Sequence, residues 1–522
     1  MPSAPDVAAA PASPVGLRTW TGFIAMSIGM LLAILDIQIV ASSLPEIQVG
    51  LHLPLARLTW IQTAYLIAEI VAIPLTGWLT RVLSTRGAFV FGISGFTVAS
   101  VACALSTGFW SLVPARVVQG FCGGLLIPLV FSAIFLMFPL AQRPRATAIA
   151  GAMAMLAPTL GPTVGGFITD RYSWHWLFLI NVAPGILVAL LAAALVDIDR
   201  PERRSFGSVD LWALPLLALF LASLQIVLVE APHRGWSDPP MLGLIAVCLV
   251  CGIWTIRRCL AQPRPLIDLG CFRDLNFAIG CGFSFLLGMG LYGATYLLPV
   301  FLGVVRYYEA FDIGLIMIVT GATQLVVAPV AAYLEPRVDA RLLLLVGYAL
   351  LGAGLIGNGF MTYATDFWGL FWQQMARGAA VMLCLLPSTA LALDALPAVR
   401  VPNASGCFNL MRNLGGAIGL GLIDTIIERR APEHVAALVA QLQAGDAAAA
   451  RFVGLPTDRF KGVPIGPIDQ ATRDVVEPLV RRAGLVAALN DAWLFIGALV
   501  LISLLLLPLM RRRARAVPQQ AP

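Results

Sequence analysis

Long apolar runs joined by short polar connections make up most of the chain. The runs fall at about 19–43, 57–79, 88–107, 110–132, 146–168, 174–196, 209–230, 240–258, 275–300, 312–334, 341–361, 367–390, 403–426 and 489–510. Runs of about 20 residues, rising 1.5 Å per residue, cross a hydrocarbon layer about 30 Å thick. The runs show no strand-like alternation, so the pattern predicts membrane-spanning helices and not a barrel. One connection is long, Ile427–Leu489. It is mixed, polar and alanine-rich, with an amphipathic helical stretch near Pro432–Leu442. Its apolar stretches, Val435–Leu442 and Val475–Leu489, need cover from each other, from the outer cavity mouth or from another protein.

Polar residues inside the runs are the next signal. The stretch Ser111–Phe131 carries Arg116, with Gln119, Gly120 and Gly123 on the same helix face. An arginine inside a span costs about 2.5–3.5 kcal/mol on insertion scales, so it faces a partner or a watery cavity, or it snorkels along a glycine-rich packing seam. Asp36 falls about 12 Å and Arg116 about 9 Å below the same surface, at similar depth. Gln62, Tyr65 and Glu69 form one stripe, with Glu69 about 16 Å down, near the midplane. In the second half of the chain the mid-span charges are Arg377 and Arg412. Gln373 lies one turn before Arg377, and Asn409 and Asn413 flank Arg412. The acids of that half, Glu335, Asp394 and Asp424, stand at span ends.

Each of these features has two readings. Asp36 and Arg116 either titrate together or form a static ion pair that orients two helices. Glu69 is a second proton site or a hydrogen-bonded structural acid. The arginines and amides of the second half form an ion pair between halves, receive an anionic group, or bond helix to helix. In the fifth run, Pro158 and Pro162 each remove a backbone hydrogen bond and favour a kink. Gly161, Gly165 and Gly166 let a facing helix come close.

Composition agrees with the pattern. Of 522 residues 59% are hydrophobic and 12% charged, against about 25% charged in soluble proteins. Arginine placement predicts the orientation. With the N-terminus inside, nineteen arginines fall on the inner side and four on the short outer loops, so both termini are expected in the cytoplasm. The net charge of +6 follows this topology and does not indicate nucleic-acid binding. Residues 1–18 read as a disordered tail and 511–522 as a basic one. The nine cysteines lie in or beside apolar runs, which predicts no disulfide framework. Cys248 and Cys251 have metal-ligand spacing, but mid-span and without further ligands. No P-loop and no convergent nucleophile or metal cluster stands out, so neither direct ATP drive nor an enzyme is expected.

An internal repeat sets the domain organisation. Gly77–Arg86 recurs as Ala332–Arg341 at an offset of 255, and Gly161–Asp170 as Gly415–Asp424 at 254. Two six-helix bundles are expected, residues 19–200 and 263–510, with two inserted helices in 201–262. The second bundle includes the long outer connection 427–489. Transporters built from such repeats bind substrate between them.

Four stretches, in order and at the right spans, carry a family resemblance. The first span has Leu35-Asp36-Ile-Gln-Ile-Val40 followed by Leu44-Pro45. The fourth has Arg116-Val-Val-Gln119-Gly120, the fifth Gly161-Pro162-x-x-Gly165-Gly166, and the sixth Trp174-His-Trp-Leu-Phe178-Leu-Ile-Asn181. The chain resembles the fourteen-helix drug:proton antiporters of the major facilitator superfamily, EmrB/QacA type. Two family motifs depart. At Gly77-x-Leu79-Thr80-Arg81, Arg81 replaces the usual acid and Ser84 a glycine, and the fifth-span motif has Ala157 for an earlier glycine. The resemblance implies the major facilitator fold in the bacterial inner membrane. It implies efflux of small amphipathic compounds by alternating access, driven by the proton gradient with no cofactor. Asp36, Glu69 and Arg116 would handle protons. Gln62, Tyr65, Gln119, Gln373, Arg377, Asn409 and Arg412 would line the cavity. The fifth-span prolines and glycines would form the antiporter motif. A periplasmic membrane-fusion adaptor and an outer-membrane channel are expected partners. Transport of one metabolite, such as an amino acid, sugar or siderophore, is the alternative.

Overall fold

The computed structural model describes residues 16–52, 55–200, 213–262, 265, 267–308, 310–394, 396–397, 400–457 and 470–510. The tails, the linker 201–212 and part of the outer connection lie outside them. Among the described residues the chain is helical, with no strand. The first half comprises α1 (Leu17–Ser42), α2 (Leu44–Leu51), α3 (Leu55–Ala104), α4 (Phe109–Met137), α5 (Arg143–Arg171), α6 (Trp176–Leu179) and α7 (Val182–Leu195). Next come α8 (Ala213–Arg234) and α9 (Pro239–Ala261). The second half holds α10 (Leu275–Val300), α11 (Ala310–Leu334), α12 (Ala340–Gly357), α13 (Phe367–Leu393), α14 (Val401–Gln443), α15 (Ala447–Val453) and α16 (Gln470–Ile502).

Twelve stretches among the described residues are long and apolar enough to cross a membrane. One of them, Trp60–Ala104, has 45 residues, far more than one crossing needs. It is two helices joined at Ser84, whose φ of 70° and ψ of 164° break the helical course. Ser84 stands where the related motif has glycine, the residue that reaches positive φ without a Cβ clash. The serine hydroxyl accepts the Gly87 amide at 3.2 Å, and Asp199, beyond α7, accepts both the amide and the hydroxyl of Thr85 at 2.8 and 3.0 Å.

Each half has its own core. Phe23, Phe89, Phe96 and Phe131 are buried in the first, and Phe283, Phe301, Tyr348 and Trp493 in the second. Lipid is as apolar as leucine, so close backbone approach must supply much of the packing. On α4, a Cβ at Gly120 would strike the Tyr65 carbonyl, and one at Gly124 would lie 2.6 Å from the Glu69 carbonyl. Glycine there lets α4 lie directly on the first part of α3. Of the two helices between the halves, α8 packs on α14, where Trp236 donates to Thr425 at 3.2 Å. The other, α9, packs on α8 and turns Leu249, Val250, Ile253 and Trp254 outward, each more than half exposed. Such a face suits lipid.

The long connection is helical at the expected stretch near Pro432–Leu442 and over more of its described length than that. The thirteenth run continues as α14 to Gln443, α15 follows, and α16 starts at Gln470, well before the fourteenth run. Leu438, Leu442, Ala449, Val453, Val480 and Ala483 form a small core of their own. Val435–Leu442 and the Val475–Leu489 stretch therefore cover each other. Asp491 on α16 ties the base, accepting from Arg430 at 2.9 Å and lying 2.7 Å from His434.

Candidate functional site

The sequence-predicted residues gather at three places. The first lies wholly inside the first half. Asp36 on α1 and Arg116 on α4 are fully buried and paired at 2.5 Å. Asp36 also accepts from the side-chain amides of Gln119 at 3.0 Å and Asn181 at 2.8 Å. Arg116 donates to Gln119 Oε1 at 2.7 Å and to the Ile61 carbonyl at 3.3 Å, and its guanidinium lies 4.4 Å from the Tyr65 ring centre. Gln119 donates to Ser100, and the Tyr65 hydroxyl to the Ala33 carbonyl. One carboxylate thus accepts three donors and joins α1, α4 and the start of α7. Gln119 and Tyr65, expected at a cavity wall, belong to this hub. Asn181 was visible only as part of the sixth-span resemblance; its role as a ligand of Asp36 is a feature that spacing alone does not reveal.

The second place is where the halves meet. Glu69 is 6% exposed and makes no hydrogen bond or ion pair among the described residues. It stands within electrostatic reach of Arg116 on its own side and of Arg412 across the interface. Arg412, on α14, donates to Asn409, and its guanidinium lies 5.3 Å from the ring of Phe131 on α4. Asn413 accepts from Tyr292 of α10 at 3.0 Å. An unneutralised carboxylate in this low-dielectric setting has two ways to lower its energy, a proton or a cation. Gln62 is partly buried one turn from Tyr65.

The third place is in the second half. Arg377 on α13 is 6% exposed and lies 5.5 Å from the Trp493 ring of α16. The aliphatic part of Arg377 and the preceding turn's Gln373 press on Gly354 and Gly357 of α12. The structure therefore places Arg377 and Gln373 among α12, α13 and α16, apart from Arg412.

At one end the halves are fastened directly. Arg143 at the start of α5 pairs with Asp394 after α13 at 3.1 Å, and Ser405 of α14 donates to the Pro128 carbonyl of α4 at 3.1 Å. A Cβ at Gly77 would lie 2.8 Å from the Asn403 Cα. Asn403 in turn accepts the Asp268 amide at 3.0 Å. The fifth-span motif is helical throughout, in α5. Gly161 packs on Gln38 of α1; the rings of Pro158 and Pro162 lie outside the described side chains. Gly165 is buried and Gly166 half-buried. Among the described residues no group of His, Cys, Asp or Glu has the makings of a metal site.

Two interlocked helical halves with charged residues buried between and within them define a membrane transporter. The sequence profile of the Major Facilitator Superfamily matches residues 26–420. The chain is 42% identical to the colistin resistance protein EmrB of Acinetobacter baumannii over 417 residues, 80% of this chain and 81% of that protein. It is 32% identical to the multidrug export protein EmrB of Escherichia coli K12, over 80% of this chain and 81% of that one. The human organic anion transporter MFSD10 shares the fold at a TM-score of 0.59 and 15% identity, over 94% of this chain and 99% of that one. The chain belongs to the major facilitator superfamily, in its EmrB-type drug:proton antiporter family. It is a multi-pass protein of the bacterial inner membrane.

Proposed function

We propose that this protein expels amphipathic toxic compounds in exchange for protons. The reading rests on one observation: Glu69 is a buried acid with no direct partner among the described residues, held between Arg116 of its own half and Arg412 of the other. When the halves separate, Arg412 leaves and Glu69 takes a proton. When they close, Arg412 returns and the proton goes. Asp36 and Arg116 form the neighbouring ion pair, through which that change reaches α1 and α4. Gln62 on one side and Asn409 and Arg412 on the other supply polar groups along the substrate path, while Tyr65 and Gln119 serve the hub and Gln373 and Arg377 stay among α12, α13 and α16. Pro158, Gly161, Pro162, Gly165 and Gly166 make α5 the helix about which the halves rock.

Fourteen spans follow if Leu55–Ala104 is counted as two and α5 as one. Both termini then lie in the cytoplasm, and the Arg143–Asp394 fastening is the cytoplasmic gate. The units are 19–200, 201–262 and 263–510, and the outer hairpin 427–489 faces the periplasm, where an adaptor leading to an outer-membrane channel docks. The names of the relatives, a colistin resistance protein and a multidrug exporter, support toxic-compound efflux over uptake of one metabolite. The test is efflux of a panel of unrelated compounds with and without an uncoupler, for wild type and Glu69→Gln. Wild-type efflux should collapse with the uncoupler, and Glu69→Gln should lose the pH dependence. Efflux insensitive to both would refute the reading.

A further inference from the structure

Aligned at an offset of 258, the start of α13 repeats the start of α4. Phe109-Trp-Ser-Leu-Val-Pro-Ala-Arg116-Val-Val-Gln119-Gly120 stands over Phe367-Trp-Gly-Leu-Phe-Trp-Gln-Gln374-Met-Ala-Arg377-Gly378. The packing repeats as well. Gly120 lies on the Tyr65 carbonyl of α3, and Gly378 on the Thr320 carbonyl of α11, 255 residues on. The arginine and glutamine have changed places: Gln374 takes the position of Arg116, and Arg377 that of Gln119. By the offset of 255, Glu69 becomes Gln324. The second half thus keeps the cation of the hub, while a glutamine replaces one of the two acids that face Arg116.

Nothing among the described residues replaces that charge. Arg377 has no hydrogen bond and no ion pair, and its Nη1 is unpartnered. Around it the polar side chains of the second half are left open. Trp493 Nε1 is a buried donor without an acceptor. Gln374 gives its oxygen to Thr320 at 2.7 Å and leaves its Nε2 unpartnered. Asn358, which follows the Gly357 that packs on Gln373, is fully buried with both amide atoms open. A guanidinium this deep is too costly to stand alone, and arginine keeps its proton in proteins.

We propose that Arg377 holds a small monovalent inorganic anion, of the chloride class, within the second half. The guanidinium and the Trp493 N–H supply the donors. Water accompanies the ion and serves the open acceptors, Gln373 Oε1 and Asn358 Oδ1. The anion does for Arg377 what Asp36 does for Arg116. Its role is separate from proton exchange at Glu69, so either reading can fail without the other.

The test is thermal unfolding of the purified protein in sodium chloride, sodium bromide and sodium gluconate at matched ionic strength. Chloride and bromide should raise the melting temperature saturably, on the order of 2 °C or more, above gluconate. Gln373→Glu places a carboxylate of nearly the same shape one turn from Arg377, and it should abolish the difference between the salts. Arg377→Gln should do the same if it folds. Crystals grown in bromide should show an anomalous peak beside Arg377 in wild type and none in Gln373→Glu. Equal melting in all three salts would overturn the proposal. So would a chloride shift that survives in Gln373→Glu, or a bromide peak that lies elsewhere.

Discussion

Asp36 illustrates how much a single side chain can fix. Its carboxylate accepts from Arg116, Gln119 and Asn181, so removing one partner leaves charge or dipole stranded where water does not reach. Breaking a buried ion pair from one side costs about 3–5 kcal/mol. Arg116→Ala should therefore lower the melting temperature strongly, and Arg116→Lys should recover only part, because lysine cannot reach Asp36, Gln119 and the Ile61 carbonyl at once. If Ala, Lys and wild type unfold alike, the hub does not hold the helices. Asp36→Asn separates holding from titrating: a protein that stays in the membrane but loses proton-driven efflux has lost a titrating group. Ser84 gives a residue-scale prediction of opposite sign. Its φ of 70° is a glycine conformation worn by a serine, so Ser84→Gly should stabilise by up to about 1 kcal/mol, less the lost Gly87 contact. A melting temperature below wild type for Ser84→Gly would show that the hydroxyl outweighs the backbone strain. The depth estimate brought Asp36 and Arg116 together correctly, since 1.5 Å per residue is a reliable ruler in a straight helix. The same ruler does not show which way a side chain turns. Arg377 and Arg412 therefore looked equivalent in sequence, yet one packs on Trp493 within its half and the other on Phe131 across the interface.

At the scale of elements the apolar runs located the helices well, because lipid demands length and continuity and little else. They were less informative where helix continues into water. Beyond residue 426 the chain is alanine-rich and charged, and hydropathy ceases to mark the helix there. What marks it is the three- and four-residue spacing of Val435, Leu438 and Leu442, matched by Val476, Leu479, Val480 and Ala483 on the returning helix, α16. Leu438→Asp should open this small core, since an uncompensated carboxylate would sit among those side chains. Limited proteolysis should then cut within 435–480 at least several-fold faster than in wild type, with the membrane helices intact. Cleavage at the wild-type rate would mean that the hairpin does not depend on its own core. The break inside α3 was also hard to read, because it is made by one residue in a left-handed conformation and not by a polar linker.

At the scale of the molecule, function depends on two halves that pack along α5 against α11 and along α3 and α4 against α14, and that carry unlike charges. The first brings Asp36 and Glu69 with Arg116, and the second brings Arg377 and Arg412. The outer hairpin adds a third body to this pair. It is a folded unit with a core, tied at its base by Asp491 to Arg430 and His434, and its far portion carries exposed apolar side chains, among them Val439 and Val475. The projection has a core of its own and rests on the second half where Gly454 and Arg482 meet Tyr363 and Phe452 packs on that half's core, so most of its surface is open to a docking partner. Gly484 packs against Val435, so α14 and α16 are adjacent there and a short linker can join them. Replacing residues 436–481 with a brief Gly/Ser linker keeps Arg430, His434 and Asp491 in place while removing the projection. Such a protein should insert, and in proteoliposomes it should transport with protons at the wild-type rate, because the hub, Glu69 and Arg412 are untouched. In whole cells it should confer several-fold less resistance, because substrate delivered to the periplasm without an adaptor re-enters across the inner membrane. Unchanged whole-cell resistance would rule out docking through the hairpin. Loss of transport in proteoliposomes as well would assign the hairpin to the transport cycle itself.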